Sequence, residues 1–455
     1  MTLQTHAAPL PSARPQAANV TIPWGFPEFF IISQTALPAL LFLPGTQAFR
    51  LPIRTAAFAI SLAAFVWWLA ESTVQVRTSK AQSWVAAVMS LLAIMLFHPL
   101  TPSLGGGIAQ IAVYFAVMAP LFWAPVFVRT PEHLARILWI LLICSGCNAV
   151  VGVLQVYDPR FLPAEFSRVI SGNDVAMGSV TFIGRNGERL MRPPGLFDTP
   201  GAVAGPAMSA ALLGLIFAVS GIAAWKRLLA FTFAIAGLSA IYLSQVRISL
   251  VMTLLMMGIY TLTSFRQGRL GRASQFGMLA GAIVVGGFLI ALALGGPVIR
   301  DRVMTLLGAD PISVYQGARG VQLNITFSQM LYEHPLGAGV GRWGMAAAYF
   351  GNFTQLSTPL WAEIQFTGWM IDGGVLMIAL YCGALVVTAF TQWKVAMLEG
   401  FPRLATCAAA VLSANLGTAV LIFSFTPFVT QIGIQYWFLA GALHGVAVSH
   451  GTEGA

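Results

Sequence analysis

The chain is 455 residues long, 57% hydrophobic and only 9% charged, with a formal net charge of +9 and a mean hydropathy of +0.79. Soluble globular domains carry about 25% charged residues, so this composition excludes a soluble enzyme or binding module and points to a protein embedded in lipid. Its apolar runs have the length of spanning helices and lack the alternation of membrane-barrel strands.

The expected fold is therefore all-α and polytopic. Residues 1–27 read as a flexible tail rich in Ala, Pro and Gln, residues 28–448 as the transmembrane domain, and residues 449–455 as a second tail. The first tail holds Arg14 but no short apolar core with a cleavage site, which argues against a signal peptide. About twelve spans are expected, near 28–48, 52–70, 83–99, 107–128, 134–155, 201–223, 228–245, 248–264, 276–295, 364–390, 404–426 and 430–448. Pro38, Pro44 and Pro52 make the first two the least distinct, and a re-entrant first segment would change the count. The cysteines (Cys144, Cys147, Cys382, Cys407) all fall inside apolar runs and suggest neither disulfides nor metal spacing. The spans are nearly free of carboxylates, which argues against a proton-coupled carrier.

Short connections carrying Arg77 and Lys80, Arg129 and Arg136, Lys226 and Arg227, Arg266, Arg269 and Arg272, and Lys394 and Arg403 predict one cytoplasmic face that also holds both termini. The opposite face has Arg50, Arg54 and Arg247 in short connections and two long loops, 156–200 and 296–363, with nine arginines: Arg160, Arg168, Arg185, Arg189, Arg192, Arg300, Arg302, Arg319 and Arg342. Long loops cross largely regardless of charge. All three lysines lie on the cytoplasmic side, so every cation of the outer face is an arginine, whose planar fork suits phosphate oxygens. Pairing with loop carboxylates and lipid headgroups is the plainer use of the same residues.

Along the chain, the run from Arg185 through Arg192-Pro193-Pro194-Gly195 to Asp198 and Pro200 predicts an irregular backbone entering a span. It either brings Arg192 and Asp198 over the mouth of the bundle or is a rigid turn with surface charges. Arg247, between two apolar runs in Leu243-Ser244-Gln245-Val246-Arg247 with no neighbouring carboxylate, reads as a functional cation or a snorkelling side chain. Residues 320–333 place Leu323, Phe327, Met330 and Leu331 at helical spacing, a short amphipathic surface helix with Arg319 near its N-terminus, suited to an anion or to anchoring. His334-Pro335 and Gly337, Gly339 and Gly341 then end that helix and allow a tight return, with His334 and Arg342 as weaker substrate contacts; no strand-turn-helix unit makes the glycines a nucleotide motif. Glu363, at the start of a span among Leu360, Trp361 and Ile364, reads as a partly desolvated base or as a helix-dipole partner.

The Arg192-x-x-Gly195-x-Phe197 turn, the Leu243-Ser244-x-x-Arg247 span start, and Arg319 about fifteen residues before His334-Pro-Leu-Gly-Ala-Gly-Val-Gly341 occur in an order that resembles the O-antigen ligase and polymerase superfamily. The resemblance covers roughly residues 180–390. It implies a GT-C-type membrane glycosyltransferase of the bacterial inner membrane, with the active face periplasmic. The implied substrate is an undecaprenyl-diphosphate-linked glycan whose diphosphate is bound by Arg247 and Arg319, with Arg192 as a third. Membrane lipids and a chain-length regulator or other polysaccharide-assembly proteins are the implied partners, with no cofactor, metal or nucleic acid. Ligases of the superfamily carry a His about eleven residues before a Gly of the next span; counting back from Gly374 gives Glu363 instead. That departure favours a polymerase-like relative with Glu363 as base. Ligation to lipid A core or protein is the alternative, and a flippase the reading from a different class.

Overall fold

The computed structural model describes residues 23–71, 78–158, 162, 181–183, 187, 189–308, 310, 313, 315–353 and 357–451. Most of the N-terminal tail and Arg185 lie outside the described residues, as does the side chain of Arg189.

The helices run α1 (Phe26–Ala39), α2 (Arg50–Ala70), α3 (Lys80–Met95), α4 (Leu104–Met118), α5 (Pro120–Phe127) and α6 (Pro131–Tyr157). A small antiparallel pair, β1 (Thr181–Ile183) and β2 (Arg189–Met191), follows with Phe182 opposite Leu190. Then come α7 (Ala204–Ala218), α8 (Ala224–Ser244), α9 (Arg247–Arg266), α10 (Leu270–Gly295) and α11 (Pro297–Gly308). A helical stretch over 316–333, here α12, alternates α and wide π turns; α13 (Gly344–Phe350), α14 (Gln365–Ala396), α15 (Pro402–Val420) and α16 (Gln431–Ser449) complete the chain. The strand pair departs from the all-helical expectation and sits in the first long loop, where Phe182 and Leu190 are both buried.

Among the described residues nine helices are long and apolar enough to cross a membrane, as an all-α membrane protein requires. Helix starts follow local chemistry. Ser79, Ser103 and Thr130 accept from the N–H groups of Gln82, Gly106 and His133 at 3.1, 3.0 and 3.2 Å, capping α3, α4 and α6, and Pro131 and Pro402 occupy first-turn positions that need no donor.

Between helices in lipid, close backbone approach replaces the hydrophobic effect as the source of association. The α7–α8 pair shows the device: a Cβ on Gly214 would lie 2.5 Å from the Ala230 carbonyl, and one on Gly237 would lie 2.7 Å from that of Ala207. Against α5, Gly441 and Gly445 of α16 do the same, at 2.6 Å from the Pro120 carbonyl and 2.5 Å from that of Val128.

Contacts sort the connections onto two faces. On one, Arg136 pairs with the buried Glu28, Arg403 with Glu132 at 2.9 Å, and Gln267 Nε2 donates to the carbonyls of Ala396 and Ala405. On the other, the loop face, Asp198 takes Arg50 and Arg54, each at 2.7 Å. Asp198 therefore anchors the first long loop to α2 with two arginines whose partner the sequence did not reveal. Asp198→Ala leaves both guanidiniums without that carboxylate, an expected loss of roughly 1–3 kcal/mol. A thermal midpoint in detergent equal to that of wild type would remove this anchoring role.

Candidate functional site

Two groups singled out from the sequence meet on the loop face. Arg319, in the first turns of α12, forms an ion pair with Glu363, two residues before α14 begins. Sequence spacing separates them by 44 positions (363 minus 319), and α12 closes the gap by docking on the start of α14. Thr326 Oγ1 lies 2.7 Å from Thr367 Oγ1, Gln322 Oε1 accepts from the Glu363 N–H at 3.3 Å, and the Phe327 and Phe366 rings are 5.5 Å apart. Thus Thr326 is buried against α14 while Phe327 touches Phe366 and stays half exposed, and Arg319 lies within the helix, past the N-terminus expected for it. Burial lowers the Arg319 guanidinium from its ordinary value, yet an arginine remains charged in proteins. Glu363, expected as a partly desolvated base or as a helix-dipole partner, is half-buried and paired with Arg319.

A second group forms where the first long loop enters α7. The Arg192 carbonyl accepts from the Gly201 N–H at 3.3 Å, and a Cβ on Gly201 would sit 3.7 Å from Val246 Cγ2 and 4.0 Å from Arg192 Cβ. The turn therefore seats Arg192 beside the α8–α9 junction, where Arg247 opens α9. Nε of Arg192, Nε of Arg247 and Nε2 of Gln245 are each buried without a hydrogen-bond partner. Burial also lowers the Arg192 guanidinium. Gln245 carries a positive φ of 57°, a left-handed conformation that a side-chain-bearing residue adopts only when its surroundings hold it there. Three buried donors without a hydrogen-bond partner thus lie on the segments that meet at this junction, with no carboxylate bonded to those atoms.

Both groups stand at the same level. α9 packs on α15 antiparallel: Gln267 bonds the Ala405 carbonyl at 3.1 Å, and a Cβ on Gly417 would meet Met256. Extended by the same register, Arg247 lies level with residues 421–430. That segment also holds the other group, for Tyr315 Oη donates to the Phe423 carbonyl at 2.8 Å, and Gln365 bonds the Phe425 carbonyl and the Phe428 N–H at 2.9 and 3.0 Å. The two groups thus share one rim.

The glycine-rich run serves as scaffold. The His334 N–H closes α12 on the Met330 carbonyl and its own carbonyl receives the Gly337 N–H. Ala338 N–H then bonds the Ile371 carbonyl at 2.7 Å and Val375 N–H the Pro335 carbonyl at 2.9 Å. α14 is broken there, at Gly373 and Gly374. Arg342, an expected substrate contact, is 3% exposed and donates to the carbonyls of Thr358 and Ala338, so it fastens the loop. His334 flanks His98, whose Nδ1 accepts the Leu100 N–H at 3.3 Å. Burial, then the charges of His334 and Arg342, hold His98 below its ordinary value of 6.5. The folded state consequently binds this proton less readily than the unfolded chain, and the stability it contributes is complete above about pH 6.5 and lost as pH falls through the lower folded value. His98→Gln is expected to flatten the fall in thermal midpoint between pH 7 and 5; an unchanged slope would assign that fall to other groups.

Sequence reading missed Asp372. It is wholly buried in α14, and its Oδ2 accepts from Tyr114 Oη at 2.7 Å, Trp343 Nε1 at 2.9 Å and Gln110 Nε2 at 3.5 Å. Oδ1 has no partner. With Glu28 also wholly buried, the helices hold more carboxylate than the expectation of nearly charge-free spans allowed. The signal was a single Asp before two glycines inside an apolar run, which averaging over the run hides. Among the described residues, no group of three or more His, Cys, Asp and Glu side chains is placed to hold a metal ion.

Compared with protein-family models and with curated proteins, the chain matches none.

Proposed function

We propose that the chain is a membrane glycosyltransferase that polymerises undecaprenyl-diphosphate-linked repeat units at the periplasmic rim of the inner membrane. In this reading the nine long helices and the three shorter apolar ones, Phe26–Phe42, Lys80–Met95 and Ala204–Ala218, make twelve spans with both termini cytoplasmic. The observation that carries the proposal is the Arg319–Glu363 pair on the rim that also holds Arg192 and Arg247.

The chemistry follows from charge. An arriving diphosphate competes with Glu363 for Arg319, because guanidinium binds phosphate oxygens at least as readily as carboxylate. Exchange frees Glu363 as the substrate binds. The acceptor hydroxyl oxygen then bonds to the anomeric carbon, Glu363 takes the hydroxyl proton, and the carbon–oxygen bond to the diphosphate breaks with its electron pair on the diphosphate. Arg319, Arg247 and Arg192 neutralise that departing charge.

Deleting the gene in its host and analysing lipid-linked glycans tests the reading. Accumulated single repeat units are the expected result. Polymer made but left on the lipid carrier would make the protein a ligase, and repeat units trapped on the cytoplasmic leaflet would make it a carrier.

A further inference from the structure

The face opposite the rim holds a second feature, a cavity of about 740 Å³ between the start of α6, the end of α7 and the starts of α10 and α15. This volume falls within the range of roughly 300–1,000 Å³ usual for small-molecule sites. Its inner wall is apolar, with Leu138, Leu213, Ile216, Phe217 and Ala410. Its mouth carries Arg269, Arg272 and Arg403 against a single carboxylate, Glu132. Arg403 takes that carboxylate at 2.9 Å. Arg269 and Arg272 instead converge on one neutral hydroxyl, Thr406 Oγ1, the second at 3.2 Å. Three cations and one anion leave a charge of +2 at the mouth. Burial, then the like charge of Arg272, lowers the Arg269 guanidinium, as expected of two arginines held together without a counterion.

An apolar wall continuing into excess positive charge matches an amphiphile with an anionic head. The arginines lie at the starts of α10 and α15, helices apolar enough to span a membrane, so a lipid of the adjacent leaflet is the amphiphile nearest to hand. We propose that this cavity is a binding site for one anionic phospholipid, its phosphate on Arg269 and Arg272 and an acyl chain along Leu213, Phe217 and Ala410. Arg269 and Arg272 already link the start of α10 to Thr406 of α15, and an occupying lipid would reinforce that link. The inference is independent of the chemistry assigned to the opposite rim.

The full-length protein, purified in detergent and delipidated, is titrated with phosphatidylglycerol and, separately, with phosphatidylcholine and with inorganic phosphate, with bound lipid counted by native mass spectrometry and the thermal midpoint followed. One phosphatidylglycerol is expected to bind and raise the midpoint, with phosphatidylcholine and phosphate doing neither. The double variant Arg269→Gln/Arg272→Gln is expected to bind it on the order of 30-fold more weakly, from the usual contribution of each basic residue at an anionic lipid surface. A second variant, Ala410→Trp, fills the apolar wall with all arginines kept and is expected to lose the lipid too. Equal binding of phosphatidylcholine, undiminished binding in both variants, or a full shift with inorganic phosphate alone would each overturn the proposal.

Discussion

Membranes containing Arg319→Ala are expected to hold normal amounts of the protein and to lose glycan transfer by on the order of 100-fold or more, the usual cost of deleting one donor aimed at a developing anion. Two effects add in this variant. The diphosphate loses a bidentate partner, and Glu363 is left as a bare carboxylate where a dianionic group has to bind. Arg319→Lys keeps the charge without the fork and is expected to recover part of the activity. Glu363→Gln is expected to lose transfer while binding the lipid-linked donor at least as well, because the competitor for Arg319 is gone. A merely structural clamp predicts otherwise: both single variants and the double variant would lower the thermal midpoint alike and leave turnover per folded molecule unchanged. That pattern, measured with purified donor in detergent, would falsify the catalytic assignment. Arg247→Ala belongs to the same test, with a loss of transfer and no change at the Arg319–Glu363 contact.

The fold was legible where composition alone decides it. Uniform apolar runs can only be helices in lipid, and each expected span has a helix over most of its length. The pairing of Arg319 with Glu363 was not legible, since nothing in the local sequence of either residue encodes how α12 folds back on α14; only their separate suitability for an anion and a proton was visible. Asp198 was expected either over the mouth of the bundle with Arg192, as a weaker substrate contact, or in a rigid turn with surface charges, whereas the long-range contacts to Arg50 and Arg54 claim it. Gln245 was invisible for a different reason. A polar residue next to an arginine at a span boundary looks like ordinary interfacial polarity, and its left-handed backbone and unpartnered amide emerge only in three dimensions. The glycines after His334 were read as a tight return, and the return proves to be a docking surface against a second set of glycines.

That docking makes Gly374 the residue whose change is expected to cost the fold most. Its φ of 64° and ψ of −152° lie in a region essentially closed to residues with a side chain. A Cβ there would lie 2.1 Å from the Pro335 carbonyl oxygen and 2.5 Å from the Gly337 nitrogen. The Pro335 carbonyl is held by the Val375 N–H of α14, and the Gly337 N–H by the His334 carbonyl beside the Ala338-to-Ile371 bond, so neither neighbour can move aside without straining these bonds. Strain of about 1–3 kcal/mol for the conformation therefore adds to the loss of one or two buried hydrogen bonds at roughly 1 kcal/mol or more each. The expected result for Gly374→Ala is a large drop in thermal midpoint and rapid proteolysis in the loop between α12 and α14. Gly281→Ala in α10, where nothing lies within 4 Å of the added carbon, provides the matched control and should leave both unchanged. Because the same loop carries Trp343 onto Asp372 at one end and returns toward Glu363 at the other, Gly374→Ala should also weaken transfer at temperatures where the protein is still folded. A Gly374→Ala protein with the stability of Gly281→Ala would mean that the glycine run does not dock on the broken helix, and the geometry assigned to Glu363 would go with it.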